Sequence, residues 1–217
     1  MARKRDAISP AKAGADLVAL ENSRWPEIFQ RLPLVRRPVA LVLLSLLTVV
    51  LLVVSFAPFD CWYLAYVALV PWTLALVGES SRHRPVVWAW LAGVIFWAVC
   101  LYWLAWITMV GYVAGVFYLS LYWLVAALIL RAAIRRNMPI WLIFPTVWVA
   151  LEYLRAYLIG FPWFYLAHTQ YQQTQLIQIA DVTGQYGVSF LVAMVNGAVV
   201  DLLILPVFAR KRLRAKL

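Results

Sequence analysis

The chain has 217 residues, 65% of them hydrophobic, with twelve tryptophans and a mean hydropathy of +0.84, which excludes an ordinary soluble globular domain. Its net charge of +10 lies in the tails and in short segments between apolar runs. That placement fits topology signals and anionic headgroups, and argues against a nucleic-acid-reading surface.

Residues Met1 to Pro38 form a basic tail carrying Arg3, Lys4, Arg5, Lys12, Arg24, Arg31, Arg36 and Arg37. Within it, Trp25, Ile28, Phe29 and Leu32 recur at helical spacing after Ser23, so the stretch reads either as a surface helix or as a disordered lead-in. A first span runs from about Val39 to Phe56. It is a signal-anchor candidate, since its lead-in is long and no small-x-small cleavage pattern follows. The second span, about Trp62 to Val77, is short and calls for tilt or a thinned bilayer. A third covers about Val86 to Met109, a fourth about Tyr112 to Leu130, a fifth about Pro139 to Leu158 and a sixth about Val188 to Phe208. Each is near the roughly 20 residues needed to cross a hydrocarbon core.

The connections alternate in charge. The N-tail, Gly78–Pro85, Arg131–Asn137 and the C-tail from residue 209 are basic, whereas Ala57–Cys61, the turn around Gly111 and Gly160–Gly187 carry no Lys or Arg. The positive-inside rule then predicts both termini in the cytoplasm, and the Gly160–Gly187 loop on the outer face. The expected fold class is all-α: a polytopic membrane helix bundle of about six transmembrane helices over 39–208, with an outer loop between the fifth and sixth. Trp62, Tyr63, Trp103, Trp106 and Tyr112 read as interfacial anchors.

Glu152 and Arg155 stand three apart on one helical face, about 7–12 Å below Gly160 at 1.5 Å per residue. Charges within a span cost about 2.5–3.5 kcal/mol each even on lenient scales. Two readings stay open for this pair. It is a mutually neutralised couple that snorkels outward, or it orders the outer loop or meets a phospholipid headgroup, which the planar guanidinium fork would suit. Gly160 ends the fifth helix, Pro162 blocks its continuation and Trp163 anchors at headgroup depth. Beyond them lie Tyr165, His168, Gln170 and further amides, then Leu176 to Ala180 as a short interfacial or re-entrant helix. Asp60 is expected to cap the second span. Asn196 and Gly197 are expected at a helix–helix contact, and Asp201 is expected to find a charge partner in the inner tail.

Cys61 and Cys100 show no CxxC or Cys/His ligand spacing and read as small apolar fillers. His83 and His168 lie on opposite sides, which leaves a zinc site without ligands, and no cofactor is expected. All four lysines sit in the tails, and no nucleophile–base–orienter set emerges from the residues.

Phe56-Ala57-Pro58-Phe59-Asp60, Leu101-Tyr102-Trp103, Glu152-Tyr153-Leu154-Arg155, Gly160-Phe161-Pro162-Trp163 and Asp181 to Phe190 occur in the order seen in bacterial apolipoprotein N-acyltransferases. Tyr186-Gly187-Val188-Ser189-Phe190 and Asn196 extend the match, so the chain resembles that family over about residues 39–208. The resemblance implies lipoprotein maturation at the bacterial inner membrane. There, an acyl chain passes from a phospholipid to the N-terminal amine of a diacylglyceryl-cysteine lipoprotein. It also implies a Glu-Lys-Cys triad in an extracytoplasmic nitrilase-like domain. Neither Cys61 nor Cys100 matches that nucleophile, so the expectation is a membrane platform, split or truncated, with catalysis supplied from elsewhere. Glu152, Arg155, Pro162, Trp163 and Gln170 carry over as groups that shape a lipid site, without chemical roles. His168 departs from the Tyr-like residue expected there. The alternatives are a non-enzymatic lipid- or lipoprotein-binding protein and, third, a small transporter. Membrane phospholipids, diacylated lipoproteins and a separate nitrilase-like chain are the partners implied.

Overall fold

The computed structural model describes residues 38–78, 84–136 and 138–214. The helical pattern at Trp25–Leu32, together with Arg82 and His83, lies outside them. Among the described residues there are helices and loops and no strand. Helix α1 spans Pro38–Ser55, α2 Val70–Gly78, α3 Arg84–Cys100, α4 Met109–Arg135 and α5 Ile140–Ile159. Two four-residue turns, α6 (Thr174–Ile177) and α7 (Ala180–Thr183), precede the long α8, Gln185–Arg214. Among the described residues, three stretches are long and apolar enough to cross a membrane: Met109–Arg135, Ile140–Ile159 and Gln185–Leu203. The other apolar helices, Val39–Ser55, Trp62–Val77 and Pro85–Cys100, are shorter.

The expected second span is a broken element. Trp62–Tyr66 forms a 3₁₀ turn and α2 begins only at Val70. Pro71 has no N–H and belongs in a first helical turn, so a helix cannot run through this point without loss. Asn196 of α8 fills the gap: its Oδ1 accepts from the Leu69 amide at 2.8 Å and its Nδ2 donates to the Ala65 carbonyl at 2.8 Å. The expected third span also ends early, at Cys100, and is followed by a 3₁₀ turn over Tyr102–Trp106. Thr108 then caps α4, its side chain accepting from the Gly111 amide at 3.2 Å. That N-cap signal lay inside what the hydropathy read as one continuous span.

Helices α5 and α8 pack along one another, as do α3 with α4 and α1 with α3. The α5–α8 contact is close because Gly197 has no side chain. A Cβ there would sit 2.7 Å from the Ile140 carbonyl oxygen and 2.8 Å from the Trp141 Cα. Backbone cannot step aside as a flexible side chain does, so Gly197→Ala should destabilise by about 1–3 kcal/mol, the usual cost of overpacking. Unfolding of the purified protein in detergent measures this, and an unchanged midpoint would mean the two helices separate freely. Asp201 accepts from the Trp141 amide at 2.9 Å through Oδ2, while the inner-tail side chains expected to partner it lie outside those described. It caps α5 from the neighbouring helix, where Pro139 provides no side-chain cap.

Not all the tryptophans are interfacial. Trp72, Trp97 and Trp123 are buried. Trp72 meets Trp123 edge-on at 5.7 Å and Trp148 at 6.0 Å, while its Nε1 donates to the Ala89 carbonyl at 3.1 Å. Edge-to-face rings at such distances add to what their area alone contributes. The opposite face of α1 exposes Val39, Leu43, Leu46, Leu47 and Val50. Such an apolar stripe suits a hydrocarbon environment better than water.

Candidate functional site

The site is built where α5 ends. Gly160 adopts a left-handed conformation (φ 61°) and its amide closes onto the Ala156 carbonyl at 2.9 Å, the glycine cap that the sequence signals. The chain then doubles back, and Phe164 takes φ 57°, a conformation non-glycine residues rarely adopt. The turn carries the Phe164 ring inward against Phe56 at 5.4 Å and Trp97 at 5.9 Å. A 3₁₀ turn over Leu166–Gln170 follows.

Glu152 and Arg155, one turn apart on α5, are each only 5% exposed. They line one cavity with the aromatic side chains of α3, α4 and α5 and with Phe164 and Leu166 from the loop. The space within it that no atom fills is about 480 Å³, part of it open to the outside. The two charges do not neutralise each other by a direct contact. Glu152 Oε1 accepts from the Trp148 indole N–H at 3.1 Å and from the Leu166 amide at 3.0 Å, while Oε2 has no hydrogen-bond partner. Arg155 donates from Nη2 to the Trp163 carbonyl at 2.8 Å, and its Nε is without a partner. The guanidinium carbon lies 4.9 Å from the centre of the Trp97 ring and 4.9 Å from that of Tyr165. Such cation–π contacts strengthen when desolvated, to about 2 kcal/mol or more.

The loop is tied down on every side. The Tyr165 hydroxyl donates to the Glu152 carbonyl at 3.1 Å, and burial, with Tyr186 beside it, holds that phenol above its usual range, so it stays a neutral donor. Ser189 of α8 accepts from the Ala167 amide at 3.0 Å. His168 Nδ1 accepts from the Tyr165 amide at 3.3 Å, and its Nε2 meets Gln185 Oε1 at 3.1 Å. Burial lowers the pKa of this histidine, and the Arg155 charge lowers it further against the opposing Gln185 contact.

Gln170 is fully buried and does not line the cavity. Its Nε2 donates to the Trp62 carbonyl at 3.0 Å and its Oε1 accepts from the Tyr66 hydroxyl at 3.3 Å, clamping the loop to the 3₁₀ turn before α2. Pro162 and Trp163 are exposed near the end of α5, and the Trp163 ring lies 5.8 Å from Trp103. Glu152 and Arg155 are therefore brought together, Pro162 and Trp163 follow them in the turn, and Gln170 works as a clasp apart from the cavity. Asp60, expected as a helix cap, makes no such bond. It has φ 55° and its Oδ1 accepts from the Tyr171 hydroxyl at 3.1 Å, another tie to the loop. The expected single helix at Leu176–Ala180 is instead the two separate turns α6 and α7. Tyr165 and Ser189 had stood out only as members of a polar list and of a motif. Their positions follow from the fold of the loop, which no spacing rule encodes.

Residues 48–198 match the family described as apolipoprotein N-acyltransferase N-terminal domain, a range that contains all five expected site residues. An apolipoprotein N-acyltransferase from Geobacter metallireducens is 40% identical over 166 residues, covering 71% of this chain and 32% of its own. Those from Rhodopirellula baltica and Pasteurella multocida are 35% and 29% identical, covering 71% and 70% of this chain and 29% and 30% of their own. The chain thus spans about a third of the length of these curated relatives.

Proposed function

The chain belongs to the apolipoprotein N-acyltransferase family, and we propose that these residues form the membrane platform of the acyl-transfer reaction its relatives are named for. In this reading an acyl chain moves from a phospholipid to the N-terminal amine of a diacylglyceryl-cysteine lipoprotein. The bond-making groups lie in a nitrilase-like part outside these residues. The platform crosses the bacterial inner membrane about six times, with its termini in the cytoplasm and the 160–187 loop facing outward. The two shorter, broken segments pair with neighbours to complete their crossings.

One observation carries the proposal. Glu152 and Arg155 each bond the backbone of the same loop, at Leu166 and Trp163, while lining the cavity beneath it. A buried cation with an unpartnered Nε, set over the rings of Trp97 and Tyr165, is preorganised for a phosphate or ester oxygen. Arg155 binds the headgroup, Glu152 fixes the loop above it, and Trp163 and Pro162 set the rim at headgroup depth.

Arg155→Gln should weaken phospholipid retention about ten-fold or more, since a hydrogen bond to a charged group contributes about 1.5–3 kcal/mol. Native mass spectrometry of the detergent-purified chain titrated with phospholipid reads this directly. Equal retention by wild type and variant would overturn the headgroup role and leave the arginine as a tie for the Trp163 carbonyl alone.

A further inference from the structure

We propose that His168 is a pH-sensitive latch on the 160–187 loop: neutral, it holds the Phe161–Gln170 stretch down over the cavity; protonated, it lets that stretch go. The geometry fixes the protonation state that closes the loop. Nδ1 accepts a hydrogen bond from the Tyr165 amide, so it carries no proton. Nε2 faces the amide oxygen of Gln185, an acceptor only, so it carries the one proton of the neutral ring. A second proton on Nδ1 would set donor against donor at the Tyr165 amide and leave that buried N–H without a partner. The ring also stacks on Tyr165 at 5.2 Å with 26° between planes. Losing the latch therefore acts on the same residue whose hydroxyl bonds α5 and whose ring faces Arg155.

Burial and the Arg155 charge oppose a charged ring, and together they outweigh the Gln185 contact that favours one. From α5, Arg155 acts on His168 as a like charge, and Glu152, the acid of that helix, is engaged with Trp148 and Leu166. From the loop itself comes the phenol of Tyr165, and the Tyr186 ring of α8 lies 5.8 Å from it. Gln185 is uncharged and opens α8, where the helix dipole disfavours a cation. Asp181 on α7 makes no bond to the ring among the described residues. Burial adds to these effects, which places the transition below the ordinary histidine value of about 6.5. If the loop faces outward, as proposed above, the latch senses the external medium. The chemistry is the same on either side.

The test is hydrogen exchange of the full chain in lipid nanodiscs at pH 7.5 and pH 5.0, corrected for the intrinsic pH dependence of exchange. Protection of the 161–171 peptide should fall about ten-fold or more at the lower pH, while α4 and α5 stay protected. His168→Gln, whose side-chain oxygen still accepts from the Tyr165 amide but cannot titrate, should show no such fall. A nitrogen NMR titration of the wild-type ring provides an independent reading, with a neutral ring at pH 7.5 that protonates as the loop loosens. Equal protection of wild type at both pH values, the same fall in His168→Gln, or a ring already protonated at pH 7.5 would each overturn the proposal.

Discussion

Glu152→Ala should destabilise the protein by roughly 2–6 kcal/mol, because it strands two donors at once, at about 1–3 kcal/mol each. The Leu166 amide and the Trp148 indole N–H both end on Glu152 Oε1, and Leu166 is buried. Glu152→Gln separates two explanations of the effect. It retains an acceptor oxygen at the Oε1 position and puts an NH₂ where Oε2 already lacks a partner. The amide should therefore stay within about 1 kcal/mol of wild type, near the net worth of an ordinary hydrogen bond. Unfolding in detergent, followed together with proteolysis of the 160–187 loop, compares the two variants. If Gln is as damaging as Ala, the loop depends on the negative charge, and the pairing of acid with backbone amide is not what holds it.

Much of this arrangement was legible in the chain. The Gly160 cap and the Pro162 stop are local signals, and they end α5 where the sequence places its end. The cost of an intramembrane charge singled out Glu152 and Arg155, and their spacing of three put them on one face of one cavity. Of the two readings left open for the pair, the buried geometry resembles the ordering of the loop and not a mutual contact that snorkels outward. What stayed hidden depended on partners distant in sequence. Asp60 reads as a cap because it precedes an apolar run, but its carboxylate goes to Tyr171, 111 residues away. Gln170 is one of several loop amides in the sequence, and only the resemblance marks it as a group that shapes a lipid site, yet its side chain bonds Trp62 and Tyr66. The breaks at Val67–Leu69 and at Leu101 are invisible to hydropathy, since 3₁₀ turns and α-helices here draw on the same apolar residues. Pro71 and Thr108 carried the local signal for both breaks.

Asn196→Ala should be nearly as damaging, at roughly 2–5 kcal/mol, although amide contacts between membrane helices usually contribute less. Side-chain pairs between such helices average only about 0.6 kcal/mol, because each partner finds a substitute when the other is removed. Asn196 differs because its partners are backbone groups in a stretch that is not α-helical. The Ala65 carbonyl lies within the 3₁₀ turn and the Leu69 amide just before α2, so the i−4 bond that would join them in an α-helix is not made. Asn196 is fully buried and its Nδ2 also reaches the Val192 carbonyl at 2.9 Å, which locks its rotamer along α8. Unsatisfied backbone groups at membrane depth cost about 1–3 kcal/mol each on the mutational scale. The damage should also spread to the cavity, because the released 3₁₀ turn is the one to which Gln170 clamps the loop. Asn196→Asp retains the acceptor for Leu69 but sets a buried carboxylate against the Ala65 and Val192 carbonyls, so it should be at least as damaging as Ala. A loss below about 0.5 kcal/mol in Asn196→Ala, with the Leu69 amide still protected from exchange, would mean that Pro71 alone sets the break and α8 merely packs beside it.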